Sequence, residues 1–226
     1  MPNRNFVSTN MYKQLLTAIL ILISLTGKSQ SKEEWNAKAS ENIHANNFGA
    51  AIRNYTEIIN LFPNDTAVYF DRAFVKHLAK DYAGAILDFS HAIELDSSNP
   101  DNFYLRGISK MCLRNYAGAQ QDFTMALKIE AENADVYYFR GLANNELKEF
   151  KKAVQDFSKS IELNSDHSQE AYGNAAWSYA KLHRYKMAKQ QCKKARAMKM
   201  NAETEAKIAI PKYCWCAFHN KSKHNL

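Results

Sequence analysis

The sequence has few residues that break helices. Its 226 residues include only 7 glycines and 4 prolines, too few for the many tight turns of a β-sandwich or barrel, or for a glycine-rich nucleotide loop. Apolar residues make up 46% of the chain and charged residues 23%, which excludes general disorder and a polytopic membrane protein. We therefore expect an all-α protein.

The sequence also lacks the common catalytic motifs. It contains no Gly-x-x-x-x-Gly-Lys, no His-Glu-x-x-His and no Gly-x-Ser-x-Gly. The histidines are scattered, and we expect His91 to be solvated. Cys214 and Cys216 are separated by one residue, a spacing that is poor for structural zinc. We predict no enzyme activity, no metal and no cofactor, and the lesser alternative is a hydrolase with an unrecognised site.

Residues 1–30 have the composition of an export signal. Lys13 precedes an apolar run of about 11 residues, shorter than the roughly 20 residues of a membrane-spanning helix. Gly27 and Ser29 suit a cleavage after Ser29, and Met11 is a candidate for the true start. The segment resembles bacterial signal peptides, which implies an exported protein, periplasmic or associated with the outer membrane. The alternative is an uncleaved signal anchor.

Charge is distributed unevenly along the chain. Residues 31–180 contain 15 basic and 21 acidic residues, whereas residues 181–226 contain 12 basic and 2 acidic residues. An acidic body argues against a nucleic-acid partner. We expect the basic run at 181–199 to be a solvated face at a helix C-terminus, which favours cations. The alternative is weak contact with anionic lipid or with an acidic partner.

An internal repeat dominates the chain after residue 31. A small residue recurs every 34 positions, and aromatic residues follow it by nine and by sixteen positions. The small residues are Ala39, Ala73, Gly107 and Gly141; the aromatic residues are Phe48, Tyr82, Tyr116 and Phe150, then Tyr55, Phe89, Phe123 and Phe157. A fifth copy, shifted by one residue, contains Ala176, Tyr185 and Cys192. The pattern predicts pairs of helices in which large side chains pack against small ones.

This periodicity resembles the tetratricopeptide repeat. The resemblance covers about residues 32–202. It implies an all-α fold, a right-handed α-solenoid of five helix-turn-helix repeats with a C-terminal capping segment at 203–226. The repeats are expected at about 32–65, 66–99, 100–133, 134–168 and 169–202. Polar residues before the second helices are predicted N-caps, namely Asn47, Asp81 and Asn115.

Three arginines are each followed by an aspartate sixteen positions later. The pairs are Arg72 with Asp88, Arg106 with Asp122, and Arg140 with Asp156. Both members lie on opposing faces of the two helices in one repeat, so we predict three equivalent ion pairs. Partly buried pairs of this kind specify geometry more than they add stability. The alternative is an arginine ladder for anionic ligands.

The resemblance also implies a concave groove lined by the first helix of each repeat. The residues at the inward positions are largely apolar and aromatic, so they favour an apolar peptide or an amphipathic helix of a protein partner. The predicted groove residues are Phe70, Phe74, His77, Tyr104, Ile108, Met111, Tyr138, Leu142, Asn145 and Trp177, flanked by Asp101, Asp135 and Glu146. We expect part of this aromatic surface to seal neighbouring helices together instead.

The predicted function is that of a non-catalytic scaffold or adaptor for protein–protein interaction. Family members that clamp acidic chaperone C-termini carry Lys, Asn or Arg at the inward positions. Phe70, Phe74, Tyr104 and Ile108 occupy them here, so that class of ligand is disfavoured. The alternative is a structural cell-envelope component that associates with copies of itself.

Overall fold

The computed structural model describes Gln14, Thr17 and residues 32–198, and residues 32–198 form ten α-helices and no strand. The helices are α1 (32–44), α2 (Phe48–Leu61), α3 (Thr66–Leu78), α4 (Tyr82–Leu95), α5 (Pro100–Cys112), α6 (Tyr116–Ile129), α7 (Ala134–Glu146), α8 (Phe150–Glu162), α9 (Ser168–Lys181) and α10 (Tyr185–Ala197). The predicted all-α fold class is confirmed. The predicted cleavage site and C-terminal cap lie outside the described residues.

The chain divides into two compact bodies, an N-terminal body, Met1–His91, and a C-terminal body, Ala92–Leu226. In the N-terminal body, α2 packs against α3. In the C-terminal body each helix from α5 to α10 packs against the next helix along the chain. Consecutive packing of this kind is the arrangement expected for tetratricopeptide repeats. None of the helices in the described residues is both long and apolar enough to cross a membrane.

An aromatic ring from the second helix of a repeat fills the space beside a small residue of the first helix. Phe123 and Phe157 are fully buried. A Cβ atom added to Gly107 or Gly141 would lie 2.7 Å from the ring Cε1 of Phe123 or Phe157, respectively. That distance is shorter than any normal carbon–carbon contact, so these two helices approach closely only because the first helix carries glycine.

Short polar side chains cap the second helices α2, α4 and α6, as predicted. Each accepts a hydrogen bond from a backbone N–H in the first turn, which satisfies an amide that has no partner within the helix. The bonds run from Ala50 N to Asn47 Oδ1 at 3.3 Å, from Gly84 N to Asp81 Oδ1 at 3.0 Å and from Gly118 N to Asn115 Oδ1 at 3.0 Å.

The turn between the two helices of each repeat passes through one residue in the left-handed conformation. These residues are Asn46, Lys80, Arg114, Lys148 and His183, with φ between 55° and 63°. A sixth, Asn164 with φ 56°, lies in the connection between α8 and α9. The left-handed region costs a residue with a Cβ atom about 1–2 kcal/mol, and glycine avoids that cost.

Enlarging Gly141 is expected to be far more destabilising than enlarging a glycine in open space. Gly141→Leu would push a side chain into the Phe157 ring and lower the free energy of unfolding by about 3 kcal/mol. The matched control is Gly49→Leu, because a Cβ atom at Gly49 meets only the end of the Arg53 side chain at 3.8 Å. Urea denaturation followed by circular dichroism measures both, and equal losses would contradict the packing described for Phe157.

Candidate functional site

A hollow of about 450 Å³ opens among the helices of the C-terminal body. Three consecutive first helices, α5, α7 and α9, supply most of its wall, and α6 adds one ring. The lining residues are Ile108, Met111, Cys112, Tyr116, Phe139, Leu142, Asn145, Glu146, Asn174 and Trp177. Most of them are apolar or aromatic, and the volume is that of a typical ligand pocket.

Helical spacing explains why these residues share one surface. Residues three or four positions apart lie on the same side of a helix. Leu142, Asn145 and Glu146 have that spacing on α7, and Asn174 and Trp177 have it on α9. Each first helix therefore presents a single stripe toward the hollow, while its small residue faces the second helix of its own repeat.

The structure brings several of the predicted groove residues together. Ile108, Met111, Leu142, Asn145 and Trp177 all line the hollow. Glu146, predicted as a flanking residue, lies beside them and is the one charged side chain in the lining. Counted from the start of each repeat at residues 100, 134 and 169, the five predicted groove residues stand at position nine (Ile108, Leu142, Trp177) or twelve (Met111, Asn145).

The two tyrosines at position five do not line the hollow. Tyr138 is 8% exposed, and its ring stacks on His167 with 4.6 Å between ring centroids. Tyr104 packs against Phe123 and Phe139, at 6.2 and 5.8 Å. Both rings seal neighbouring helices together. Burial raises the pKa of each phenol to about 12, and nearby carboxylates add to the increase.

Three predicted groove residues belong to the N-terminal body. Phe70 lies edge-on to Phe89 at 5.7 Å. Phe74 is 39% exposed. His77 lies edge-on to Tyr82 at 5.2 Å, and burial lowers the pKa of the imidazole. Of the three, Phe74 presents the most accessible apolar surface.

The lining also includes residues that were not singled out in the sequence. Phe139 lies three positions before Leu142, so its helical spacing could have identified it. Asn174 lies three positions before Trp177 in the same way. Tyr116 belongs to one of the recurring aromatic columns, and Cys112 directly follows the predicted groove residue Met111. In the structure Cys112 is exposed and has a free thiol.

Polar contacts hold the wall of the hollow in place. Ser178 is fully buried and its hydroxyl donates a hydrogen bond of 2.6 Å to Asn145 Oδ1. The bond links α9 to α7. Phe150 lies edge-on to Trp177 at 5.3 Å, and the Lys181 ammonium lies 5.4 Å from the centre of the Trp177 ring. These two contacts fix the orientation of the Trp177 ring.

The expectation for His91 was wrong. Its side chain is half-buried, and its ring centroid lies 4.3 Å from that of Tyr69. Tyr69 lies on α3, one helical turn before the small residue Ala73. His91 lies on α4, the second helix of the same repeat, and its ring packs against the Tyr69 ring. This contact makes His91 a packing residue.

Each of the three predicted arginine–aspartate pairs forms in the structure. In every pair the guanidinium donates two hydrogen bonds, one to each carboxylate oxygen. The distances are 2.8 and 2.8 Å for Arg72 with Asp88, 3.0 and 2.7 Å for Arg106 with Asp122, and 3.0 and 2.7 Å for Arg140 with Asp156.

Each aspartate also binds a second partner, the side chain of a residue that lies one helical turn after the arginine. The groups are the Lys76 ammonium on Asp88, the Lys110 ammonium on Asp122 and the Asn144 amide on Asp156, each at 2.7 Å. The i, i+4 spacing of these residues from the arginines was a signal available in the sequence. These partners occupy both oxygens of every carboxylate, so the pairs have a structural role.

Arg72 and Arg140 also reach the second helix of the preceding repeat. Arg72 Nη1 donates to Thr56 Oγ1 at 3.1 Å, and Arg140 Nη1 donates to Thr124 Oγ1 at 3.4 Å. Arg140 therefore connects α6, α7 and α8. Burial raises the pKa of its partner Asp156, although hydrogen bonds from Arg140 and Asn144 lower it. Desolvation thus offsets much of the attraction between the charges.

Comparison with known proteins agrees with this architecture. Residues 134–167 match the tetratricopeptide repeat family. This is the fourth repeat, which contains α7 and α8. No curated protein matches the chain in sequence.

Several solved structures share the fold. A crystal structure of MamA protein has a TM-score of 0.72 at 20% identity and covers 80% of this chain and 97% of its own. MamA from Desulfovibrio magneticus RS-1 has a TM-score of 0.70 at 16% identity and covers 75% and 98%. YrrB, described as a TPR protein with an unusual peptide-binding site, has a TM-score of 0.64 at 20% identity and covers 81% and 88%. At these identities the likeness shows the fold alone.

Removing one member of the Arg140–Asp156 pair is expected to cost more than replacing both. Asp156→Leu leaves the partly buried Arg140 guanidinium without its carboxylate partner and should lower the free energy of unfolding by about 3 kcal/mol. The double variant Arg140→Leu with Asp156→Leu should lose less than half of that amount, because it removes both desolvation costs. A double-mutant cycle by urea denaturation measures the difference. A double variant as unstable as the single one would show that the pair is a net source of stability.

Proposed function

We propose that this chain is a non-catalytic scaffold for protein interaction, and that the hollow binds apolar side chains of a peptide or amphipathic helix. The observation that carries the proposal is the cluster of accessible apolar and aromatic side chains on three consecutive first helices. The fold supports a scaffold, because YrrB, one of the proteins that share it, is described as having a peptide-binding site. Buried aromatic and aliphatic anchors dominate the affinity of such interfaces.

Two of the polar side chains that line the hollow, Asn145 and Glu146, differ in their surroundings. Asn145 Oδ1 already accepts a hydrogen bond from the Ser178 hydroxyl, so we assign Asn145 a structural role in the wall. Glu146 is exposed and forms no ion pair with a described residue. Its carboxylate can accept a hydrogen bond from a backbone N–H or from a basic side chain of the partner. The apolar side chains of the hollow would then supply affinity, and the Glu146 carboxylate would orient the bound segment.

Filling the hollow is expected to abolish peptide binding without disturbing the core. Cys112 is exposed and lines the hollow, so Cys112→Trp should occupy the space that an anchor side chain would take. Peptides selected from a displayed random library on the unmodified protein should bind this variant at least about tenfold more weakly, a loss of about 1.4 kcal/mol.

The matched control is Leu113→Trp, at a neighbouring residue that is 50% exposed and does not line the hollow. The selected peptides should bind this control as they bind the unmodified protein. Fluorescence anisotropy of labelled peptides measures both affinities. A library that yields no binders, or binders that ignore Cys112→Trp, would remove the hollow as the binding site.

We also propose that residues 1–30 direct export to the periplasm or the outer membrane. The composition of this segment, a lysine followed by a short apolar run and then small residues, supports the proposal. An exported scaffold would act within a cell-envelope or secretion assembly.

A reporter fusion tests export. Residues 1–30 placed before alkaline phosphatase should give active enzyme in a bacterial host, because the reporter needs disulfides that form outside the cytoplasm. Ile21→Lys, within the apolar run, should abolish the activity. The mass of the exported full chain then separates cleavage after Ser29 from an uncleaved anchor. An active reporter without residues 1–30, or an inactive one with them, would refute export by this segment.

A further inference from the structure

Basic residues occupy positions where the backbone favours glycine or asparagine. Of the six described residues with positive φ, two are asparagines and the others are Lys80, Arg114, Lys148 and His183. A glycine in the same turn would avoid the clash between Cβ and the backbone. Favourable interaction with the C-terminal end of the preceding helix offsets only part of that cost. The fold itself therefore does not explain why cations stand here.

Three of these residues lie along one edge of the C-terminal body. Arg114, Lys148 and His183 belong to the turns between α5 and α6, α7 and α8, and α9 and α10. The first helices of successive repeats run in the same direction, so the turns that end them follow each other along the same side of the stack. We call this side, with residues 113–114, 148 and 183–185, the turn edge.

The cations of the turn edge are exposed and available. Arg114, Lys148 and Arg184 are all exposed, and none forms an ion pair with a described residue. The nearest acidic side chain in sequence to Lys148 is Glu149, and it is already bound by Lys152 at 2.8 Å and by Gln120 at 2.7 Å.

Apolar surface accompanies these charges. Leu113, directly before Arg114, is 50% exposed, and Tyr185, directly after Arg184, is 64% exposed. The hydroxyl of Tyr185 lies 3.0 Å from Nδ1 of His183. Exposed leucine and tyrosine beside lysine and arginine is the composition that suits the boundary between lipid head groups and acyl chains.

We propose that the turn edge docks on an anionic phospholipid surface. The proposal rests on charge complementarity. Each cation near an anionic surface adds to the affinity of the protein for that surface, and it needs no fixed geometry to do so. The cations stand on separate turns, one repeat apart, rather than converging in a recess as they would for a single acidic peptide. A membrane presents phosphates across a plane and can meet all of these turns at once. This surface is distinct from the peptide-binding hollow, so the inference goes beyond the proposed function.

Vesicle flotation with the full chain tests the proposal. The two probes are vesicles of phosphatidylcholine, and vesicles of phosphatidylcholine mixed with phosphatidylglycerol. The apolar run near the N-terminus would act equally on both, so the readout is the ratio of binding to anionic and to neutral vesicles. That ratio should be at least about 25 at low ionic strength, given roughly fivefold for each of two cations, and should fall as salt is added.

The double variant Arg114→Gly with Lys148→Gly removes two charges while suiting the left-handed turns, so it should fold at least as stably as the unmodified chain. We expect its anionic-to-neutral ratio to fall about 25-fold, roughly fivefold for each cation.

Two control variants test whether a loss of binding comes from the lower net charge or from the relieved backbone strain, and not from the position of the removed cations. Lys128→Gln with Lys193→Gln removes the same charge from exposed sites on α6 and α10 outside the turn edge, and the ratio should change little. Asn164→Gly relieves a left-handed residue without changing charge, and the ratio should stay constant.

Three outcomes would overturn the proposal. The first is a chain with no preference for anionic vesicles. The second is an equal loss in the Lys128 and Lys193 variant, which would mean that net charge acts diffusely. The third is a chain that ignores vesicles and binds soluble polyglutamate through Arg114 and Lys148, which would assign the turn edge to an acidic protein partner.

Discussion

The contact between a buried aromatic ring and a residue with almost no side chain sets the distance between the two helices of a repeat. Where Phe123 meets Gly107 and Phe157 meets Gly141, there is no room for even one more carbon atom. This restriction fixes which face of each first helix is buried. The arginine–aspartate pairs act on the same framework, because Arg140 joins its own repeat to the one before it. Packing provides the stabilisation, and the charges select the geometry.

The hollow follows from that framework. In α5, α7 and α9 the small residue faces the second helix of the same repeat. Other side chains of these three first helices face away from that contact, and together they line the hollow. Large rings at the inner position, such as Tyr138, close the space between neighbouring helices. Smaller or more distant side chains, such as Leu142 and Met111, leave the hollow open. The buried bond between Ser178 and Asn145 then holds two of the three walls together. The surface of the hollow thus consists of side chains that the packing between helices leaves uncovered.

Much of this architecture could be predicted from residue spacing, because a 34-residue period constrains every repeat at once. The ring-and-small-residue columns, the caps and the pairing of Arg72 with Asp88 all depend on local helical geometry. The sequence could not predict which inward residues pack between helices and which line the hollow, since Tyr138 and Leu142 lie one helical turn apart on the same side of α7. His91 was misjudged because its partner, Tyr69, lies on another helix. The left-handed turn residues could not be predicted from the sequence, because most of them are lysine, arginine or histidine and not glycine, the residue that usually indicates this conformation.

The ring-and-small-residue contact can be observed directly by nuclear Overhauser spectroscopy on protein labelled at glycine and phenylalanine. Our account predicts strong cross-peaks between the α-protons of Gly107 and the ring protons of Phe123, and between those of Gly141 and Phe157. It also predicts slowed exchange of the amides in α5 to α8, since these helices pack around the rings. Absent cross-peaks, with both rings accessible to a soluble paramagnetic probe, would contradict the account at its foundation.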